Sequence, residues 1–244
     1  SSTGALSLGL LSLLAEFSTD HKVHCSPSEF AETVFRMEDH KINFKIGRQD
    51  PYAIILGGIN FLRFGNKGFH AHNFEVETHI SETDSDVRTL EKKLLLVHSG
   101  VSREAQNIVK IVTANIDSGK KVYRQALETI GTCGETVTRL IQTQQFDDRL
   151  AYAMSENWEA QKQLAPESSN AKLDMVYSKI MQSGAVGGKM CGAGGGGYFV
   201  FYCRDREGVM QTAKKMGLQV IEPRFEMRDI LTLNNLNPEN ENSR

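Results

Sequence analysis

Apolar positions recur along this chain with two different periods, and the change from one to the other orders the elements. Leu6, Leu10, Leu13, Leu14 and Phe17 repeat at helical spacing, which predicts a first helix behind the small residues Ser1, Ser2, Thr3 and Gly4. The hydroxyls there stand where a helix leaves N–H groups unpaired, a place that suits either simple N-capping or an anion. Ser26-Pro27-Ser28-Glu29 is a second helix start: Ser26 caps, proline takes the first helical position and Glu29 completes a capping box. Phe30, Val34 and Met37 form its inward stripe. Glu38 lies on the edge of that stripe, as a solvated rim residue or as a carboxylate aimed into a cleft.

Gly47-Arg48-Gln49-Asp50-Pro51-Tyr52 reads as a polar loop in which Pro51 biases Asp50 toward an extended backbone. The apolar run Ala53 to Phe64 then reads as a buried strand. Phe64 to Asp86 is polar, and His70, His72 and His79 read as exposed hairpin residues, since no cysteine or carboxylate of ligand spacing accompanies them. Leu94 to Val97 is a buried strand, followed by a helix from Ser102 to about Val112 with Arg103 in its first turn. Three helical stripes follow: Leu127 to Ile141; Leu150 to Leu164, stopped by Pro166; and Leu173 to Ile180, closed by Gly184. The tail of the chain predicts a strand from Tyr198 to Cys203, a helix from Asp205 to Met216 ended by Gly217, strands at Leu218 to Ile221 and Phe225 to Leu233, and a polar terminus from Asn234. Helices followed by turn, strand, helix and strand make an α+β fold.

Composition narrows the function more than the fold. The 244 residues are 40% hydrophobic and 24% charged, with a net charge of −2. That balance gives no electrostatic case for nucleic acid or an anionic membrane. Cys25, Cys133, Cys191 and Cys203 contain no C-x-x-C pair, so buried free thiols in a reducing cytoplasm are expected rather than a disulfide framework or a zinc site. The apolar opening lacks a basic n-region and is too short to span a bilayer.

The strongest chemical signal is Gly187 to Cys203, GGKMCGAGGGGYFVFYC. Gly192, Gly194, Gly195, Gly196 and Gly197 surround Ala193 and lead into the apolar strand. Such a turn either lets two strands cross closely or leaves several N–H groups free to converge on an anion, usually phosphate. Asp50 beside Arg48 is either an Asp-Pro turn or a loop carboxylate held for chemistry.

On these residues the sequence resembles the GHMP kinases. Ser1-Ser2-Thr3-Gly4-Ala5 looks like the tail of the family's second motif, Lys189 to Gly197 matches its third, and Gly47 to Tyr52 matches the loop with the catalytic aspartate. GRQDPYAIILGGINFLRF and VHSGVSREA look most like the branch acting on D-glycero-D-manno-heptose 7-phosphate. The resemblance implies a two-domain GHMP kinase-like fold: a partial N-terminal domain over 1–90 and a ferredoxin-like α+β C-terminal domain over 91–244. It implies an ATP- and Mg²⁺-dependent kinase of the anomeric hydroxyl, acting on a small sugar phosphate. In that reading Asp50 is the general base and Arg48 stabilises charge near the transferred group. Glu38 and Ser2 hold Mg²⁺, Ser1 to Gly4 cradle the ATP phosphates, and Gly192, Gly194, Gly195 and Gly196 wall the cleft. Arg48, Arg63, Lys67 and Arg103 are candidates for the substrate's own phosphate. The alternatives are a fucose, galactose or mevalonate type kinase, or a catalytically silent binding protein on the same fold. Pro51 stands where this branch usually has glutamine. The chain starts inside the second motif, so a fragment or trimmed chain with weak or no kinase activity is expected.

Overall fold

The computed structural model describes residues 27–37, 49–56, 58–64, 74–78, 84–102 and 105–225. The chain divides into two compact units, one from 1–80 with 225–244 and one from 81–224. The expected first helix, the expected strand beyond Phe225 (itself in no regular element) and the polar terminus lie outside the described residues, as do His70, His72 and His79.

In the first unit, α1 (Pro27–Arg36) packs on α2 (Gln49–Leu56). Strands β1 (Asn60–Phe64) and β2 (Phe74–Thr78) form an antiparallel pair, in register from Asn60 opposite Thr78 to Phe64 opposite Phe74. Proline opens α1 as its sequence demands, and Phe30, Ala31, Val34, Tyr52 and Ile55 make the core, with Leu62 against them. The expected continuous strand from Ala53 is broken: Ala53 to Leu56 belong to α2, and the strand begins at Asn60. A short apolar run fits either period. Here Tyr52 and Ile55 bury one helical face while Ala53 is exposed, and Gly58 turns the chain at φ 64°. Asp50 is likewise helical rather than extended. Pro51 sits in the first turn, where no intrahelical N–H is needed, so its cost to the helix vanishes.

The second unit begins with α3 (Asp84–Glu91) and β3 (Leu94–His98), and runs on through α4 (Ala105–Asp117), α5 (Lys121–Gln142) and α6 (Asp148–Leu164). A 3₁₀ turn at Pro166–Ser168 leads to α7 (Ala171–Gln182), β4 (Ala185–Met190), β5 (Tyr198–Cys203), α8 (Arg206–Lys215) and β6 (Val220–Ile221). The four strands order β4-β5-β3-β6, every pairing antiparallel. The first and third strands of this β-α-β-β-α-β unit are therefore central, which is the ferredoxin-like arrangement. Leu95, Val97, Phe199, Phe201 and Met190 cover one sheet face and meet Trp158 of α6, Leu173, Val176 and Ile180 of α7, and Val209 and Ala213 of α8. Each large side chain so buried contributes about 1.5–3 kcal/mol. Trp158 meets Phe199 edge-on at 5.8 Å.

The helix starts are built from side chains. Asp147 accepts from the Arg149 amide, Asn170 from those of Lys172 and Leu173, and Asp205 from that of Gly208. The described helix after β3 runs from Ala105 to Asp117, past the expected end at Val112. Strand β4 was not expected. Its pattern is hidden by Gly187 and Gly188, which the packing requires: a Cβ at Gly187 would lie 2.1 Å from the Ala151 carbonyl oxygen, and one at Gly188 2.5 Å from the Phe201 ring. Cys133 and Cys203 are buried free thiols as expected, but Cys191 is exposed, because it stands where β4 gives way to the glycine turn.

Candidate functional site

The turn from Cys191 to Gly197 joins two neighbouring strands of one sheet, and its glycines serve two purposes. Gly194 and Gly196 are pressed against other parts of the fold: a Cβ on Gly194 would lie 2.6 Å from Ser168 Cβ, and one on Gly196 2.6 Å from the Val101 carbonyl oxygen. Gly192 and Gly197 also have positive φ, 68° and 92°, yet a Cβ on either would meet nothing within 4 Å. One side of the turn is thus clamped to the protein and the other is open.

Hydrogen bonds hold the clamp. Gly195 N–H donates to the Ser168 carbonyl at 2.6 Å, and Gly197 N–H to the Val101 carbonyl at 2.9 Å. The Ser99 amide returns a bond to the Gly197 carbonyl at 2.8 Å, and Gln161 Nε2 donates to that of Gly192 at 2.9 Å. Two N–H groups that the sequence left free for an anion are therefore committed internally. Those of Gly192, Ala193, Gly194 and Gly196 make no hydrogen bond among the described residues. A phosphate or a sugar oxygen is the kind of group that unpaired turn amides can bind.

The structure brings the two most family-like segments of this unit together. His98-Ser99-Gly100-Val101, at the end of β3, forms the floor of the glycine turn. Ser99 is fully buried; its Oγ accepts from the Val101 amide at 3.3 Å, and Lys172 Nζ donates to the Gly100 carbonyl at 2.7 Å. The base of β4 is tied down as well. Ser155 Oγ accepts from Gly188 N–H at 3.2 Å and lies 3.0 Å from the Tyr177 hydroxyl, which donates to the Gly188 carbonyl. Burial raises the Tyr177 hydroxyl above its usual range and lowers the Lys189 ammonium, the latter partly offset by the thiols of Cys191 and Cys133.

Of the other expected site residues, Asp50 is described: it is half-buried in the first turn of α2. Ser1, Ser2, Thr3, Gly4, Glu38 and Arg48 lie outside the described residues, as do Lys67, Arg103 and the side chain of Arg63. Among the described residues no group of three or more His, Cys, Asp or Glu side chains is placed to hold a metal ion, and no helix is long and apolar enough to cross a membrane. Sequence reasoning missed Ser168 and Val101, whose part in the turn is played by backbone carbonyls and leaves no side-chain signature. It also missed Glu32, whose one available signal was a charge beside the apolar positions of α1: it is only 8% exposed, accepts from the Tyr52 hydroxyl at 3.2 Å and pairs with Arg36 at 3.0 Å.

Residues 144–217 match the family model described as GHMP kinases C terminal. The chain is 26% identical over 175 residues to a D-glycero-alpha-D-manno-heptose 7-phosphate kinase of Campylobacter jejuni, covering 71% of the chain and 49% of that relative. It therefore spans about half the length of the curated relative it matches. Among solved structures, a Campylobacter jejuni protein assigned as a sugar kinase superposes with a TM-score of 0.68 at 22% identity, over 93% of this chain and 62% of that one. The mevalonate kinase of Methanococcus jannaschii gives 0.63 at 18% identity, over 93% and 64%. Residues 144–217 thus match the C-terminal domain of the GHMP kinases, and the chain has a GHMP kinase-like α+β fold.

Proposed function

We propose that this chain belongs to an ATP-dependent cytoplasmic sugar kinase that phosphorylates the anomeric hydroxyl of D-glycero-D-manno-heptose 7-phosphate. The observation that carries the reading is the glycine turn, clamped on Ser168 and Val101, whose Gly192, Ala193, Gly194 and Gly196 amides make no hydrogen bond among the described residues, together with the heptose kinase likeness. Phosphoryl transfer asks a protein for positioning and charge neutralisation more than for covalent chemistry. Asp50 takes the proton of the anomeric hydroxyl as its oxygen bonds to the γ-phosphorus and the bond to the ADP oxygen breaks. Arg48 offsets charge on the transferred group, and Gly192, Gly194, Gly195 and Gly196 wall the cleft. The amides of Ser1 to Gly4 hold the ATP phosphates. Ser2 and Glu38 would hold Mg²⁺, which would neutralise phosphate charge and needs few protein oxygens beside phosphate ones.

The test incubates the folded chain with Mg²⁺-ATP and a panel of heptose 7-phosphate, galactose, fucose and mevalonate. Phosphorus NMR follows the products, and calorimetry follows sugar binding. A new anomeric phosphate on the heptose, lost in Asp50→Asn without loss of fold, supports the reading. Preferred turnover of another panel member overturns the substrate assignment. Sugar binding that never leads to transfer overturns the catalytic one in favour of a silent binding protein.

A further inference from the structure

Glu32 is a carboxylate of α1, only 8% exposed, that borders the core α1 and α2 share through Tyr52 and otherwise faces Ser28, Glu29, Thr33 and Arg36 of its own helix. A charge is costly there unless its oxygens are satisfied, and an apolar side chain of similar size often packs as well or better. Both oxygens are satisfied, by different elements. Oε1 pairs with Arg36 Nε at 3.0 Å, one turn along α1, and Oε2 accepts from the Tyr52 hydroxyl of α2 at 3.2 Å. Tyr52 is fully buried. The bond thus adds a directional link beside the apolar, non-directional packing of α1 on α2. Polar links of this kind are best attested as devices that fix register.

The register it fixes has a consequence for Asp50. At 100° per residue, Asp50 stands about 200° around the axis of α2 from Tyr52. Holding the Tyr52 hydroxyl on Glu32 turns Tyr52 inward and presents Asp50 on the opposite side of the helix. We propose that Glu32 and Tyr52 are positioning residues, which set the rotation of α2 and so aim the Asp50 carboxylate at the acceptor hydroxyl; this rests on the kinase reading of Asp50. Arg36 completes the device by holding the second oxygen of Glu32, so that the carboxylate cannot swing away from α2.

The experiment compares Tyr52→Phe, Glu32→Gln and Asp50→Asn, singly and with Tyr52→Phe and Asp50→Asn combined. It reads kcat and KM for heptose 7-phosphate, the dissociation constant of that sugar by calorimetry, and the melting temperature. Misplacing a catalytic group by about 1 Å costs on the order of 100-fold in rate. Tyr52→Phe and Glu32→Gln are therefore expected to lower kcat about 10- to 100-fold at nearly constant KM. In the Asp50→Asn background Tyr52→Phe should change neither the residual rate nor the sugar affinity, since there is then no carboxylate to aim. A merely structural role would give the same loss in both backgrounds and overturns the proposal. So does full kcat in Tyr52→Phe and Glu32→Gln while Asp50→Asn is inactive, which leaves the kinase reading intact. Full activity in Asp50→Asn, or no sugar binding by the folded chain, overturns the kinase reading and this proposal with it. Sugar bound without turnover likewise overturns the kinase reading and this proposal with it.

Discussion

Alanine at Gly194 and alanine at Gly192 should differ sharply, although the two glycines are separated only by Ala193. At Gly192 the backbone lies at φ 68° and a Cβ meets nothing within 4 Å. The substitution there costs about 1–2 kcal/mol for left-handed backbone, offset by about 0.4–1 kcal/mol from a more restricted unfolded chain. At Gly194 φ is 96°, beyond the left-handed basin, and the new Cβ would lie 2.6 Å from Ser168 Cβ and 2.9 Å from the Ser168 carbonyl oxygen. Strained backbone adds about 1–3 kcal/mol and overpacking about 1–3 kcal/mol. Ser168 is itself fully buried and its carbonyl takes the Gly195 amide, so the neighbour cannot move aside without breaking the clamp. The expected net losses are about 1 kcal/mol for Gly192→Ala and about 2–5 kcal/mol for Gly194→Ala. Trp158 is the only tryptophan and lies in the core of the same unit, so urea unfolding followed by its fluorescence reports the right element. With slopes of about 1–3 kcal/mol per molar urea, the two midpoints should separate by on the order of 1 M. Equal midpoints with equal slopes would refute the clamped-and-open description of the turn.

Three further outcomes follow from the same geometry. Ser168 Oγ is buried without a hydrogen-bond partner among the described residues, so Ser168→Ala should cost nothing or stabilise the chain by up to about 1 kcal/mol in the same titration. A clear loss of stability would mean that the hydroxyl has a partner. Burial pushes the Cys203 thiol up to about 12 from an ordinary 9.0, so the unfolded chain ionises first. This group's contribution is full below pH 9 and falls as pH rises toward 12, and Cys203→Ala should flatten that alkaline loss in melting scans. Removing the Asn170 carbonyl that accepts from the Lys172 and Leu173 amides should cost Asn170→Ala about 1 kcal/mol in urea midpoint experiments, with a smaller loss for Asn170→Ser.

What was legible in the sequence was what local physics decides alone. Helices α5, α6 and α7 span enough turns for their apolar stripes to fix both period and phase, and Pro166 and Gly184 mark their limits. Where an element is short, tertiary packing chose between the periods. The apolar run after Asp50 fits a strand as well as a helix, and only the burial of Tyr52 and Ile55 against α1 makes residues 49–56 helical. Strand β4 was hidden for a related reason. Its glycines at 187 and 188 weaken any strand pattern, and the pressure that keeps them comes from Ala151 and Phe201, far off in the chain.

The glycine turn shows the same limit at the candidate site itself. Its location and its likeness to a phosphate-handling loop were visible in seven residues, but not which of its amides are available. That depends on two carbonyls, of Val101 and Ser168, which the fold carries to one side of it. Carbonyls belong to every residue, so no composition or motif can announce them. Yet they fix part of the turn and leave part of it open: Gly195 and Gly197 spend their amides on the protein, while Gly192 keeps open space beside it. A loop with every amide free would have to be ordered by its ligand and would bear that entropy at each binding event. On the kinase reading the clamp removes that cost in advance, and it explains why glycine is needed at Gly194 and Gly196 by contact with the protein but at Gly192 only by backbone conformation.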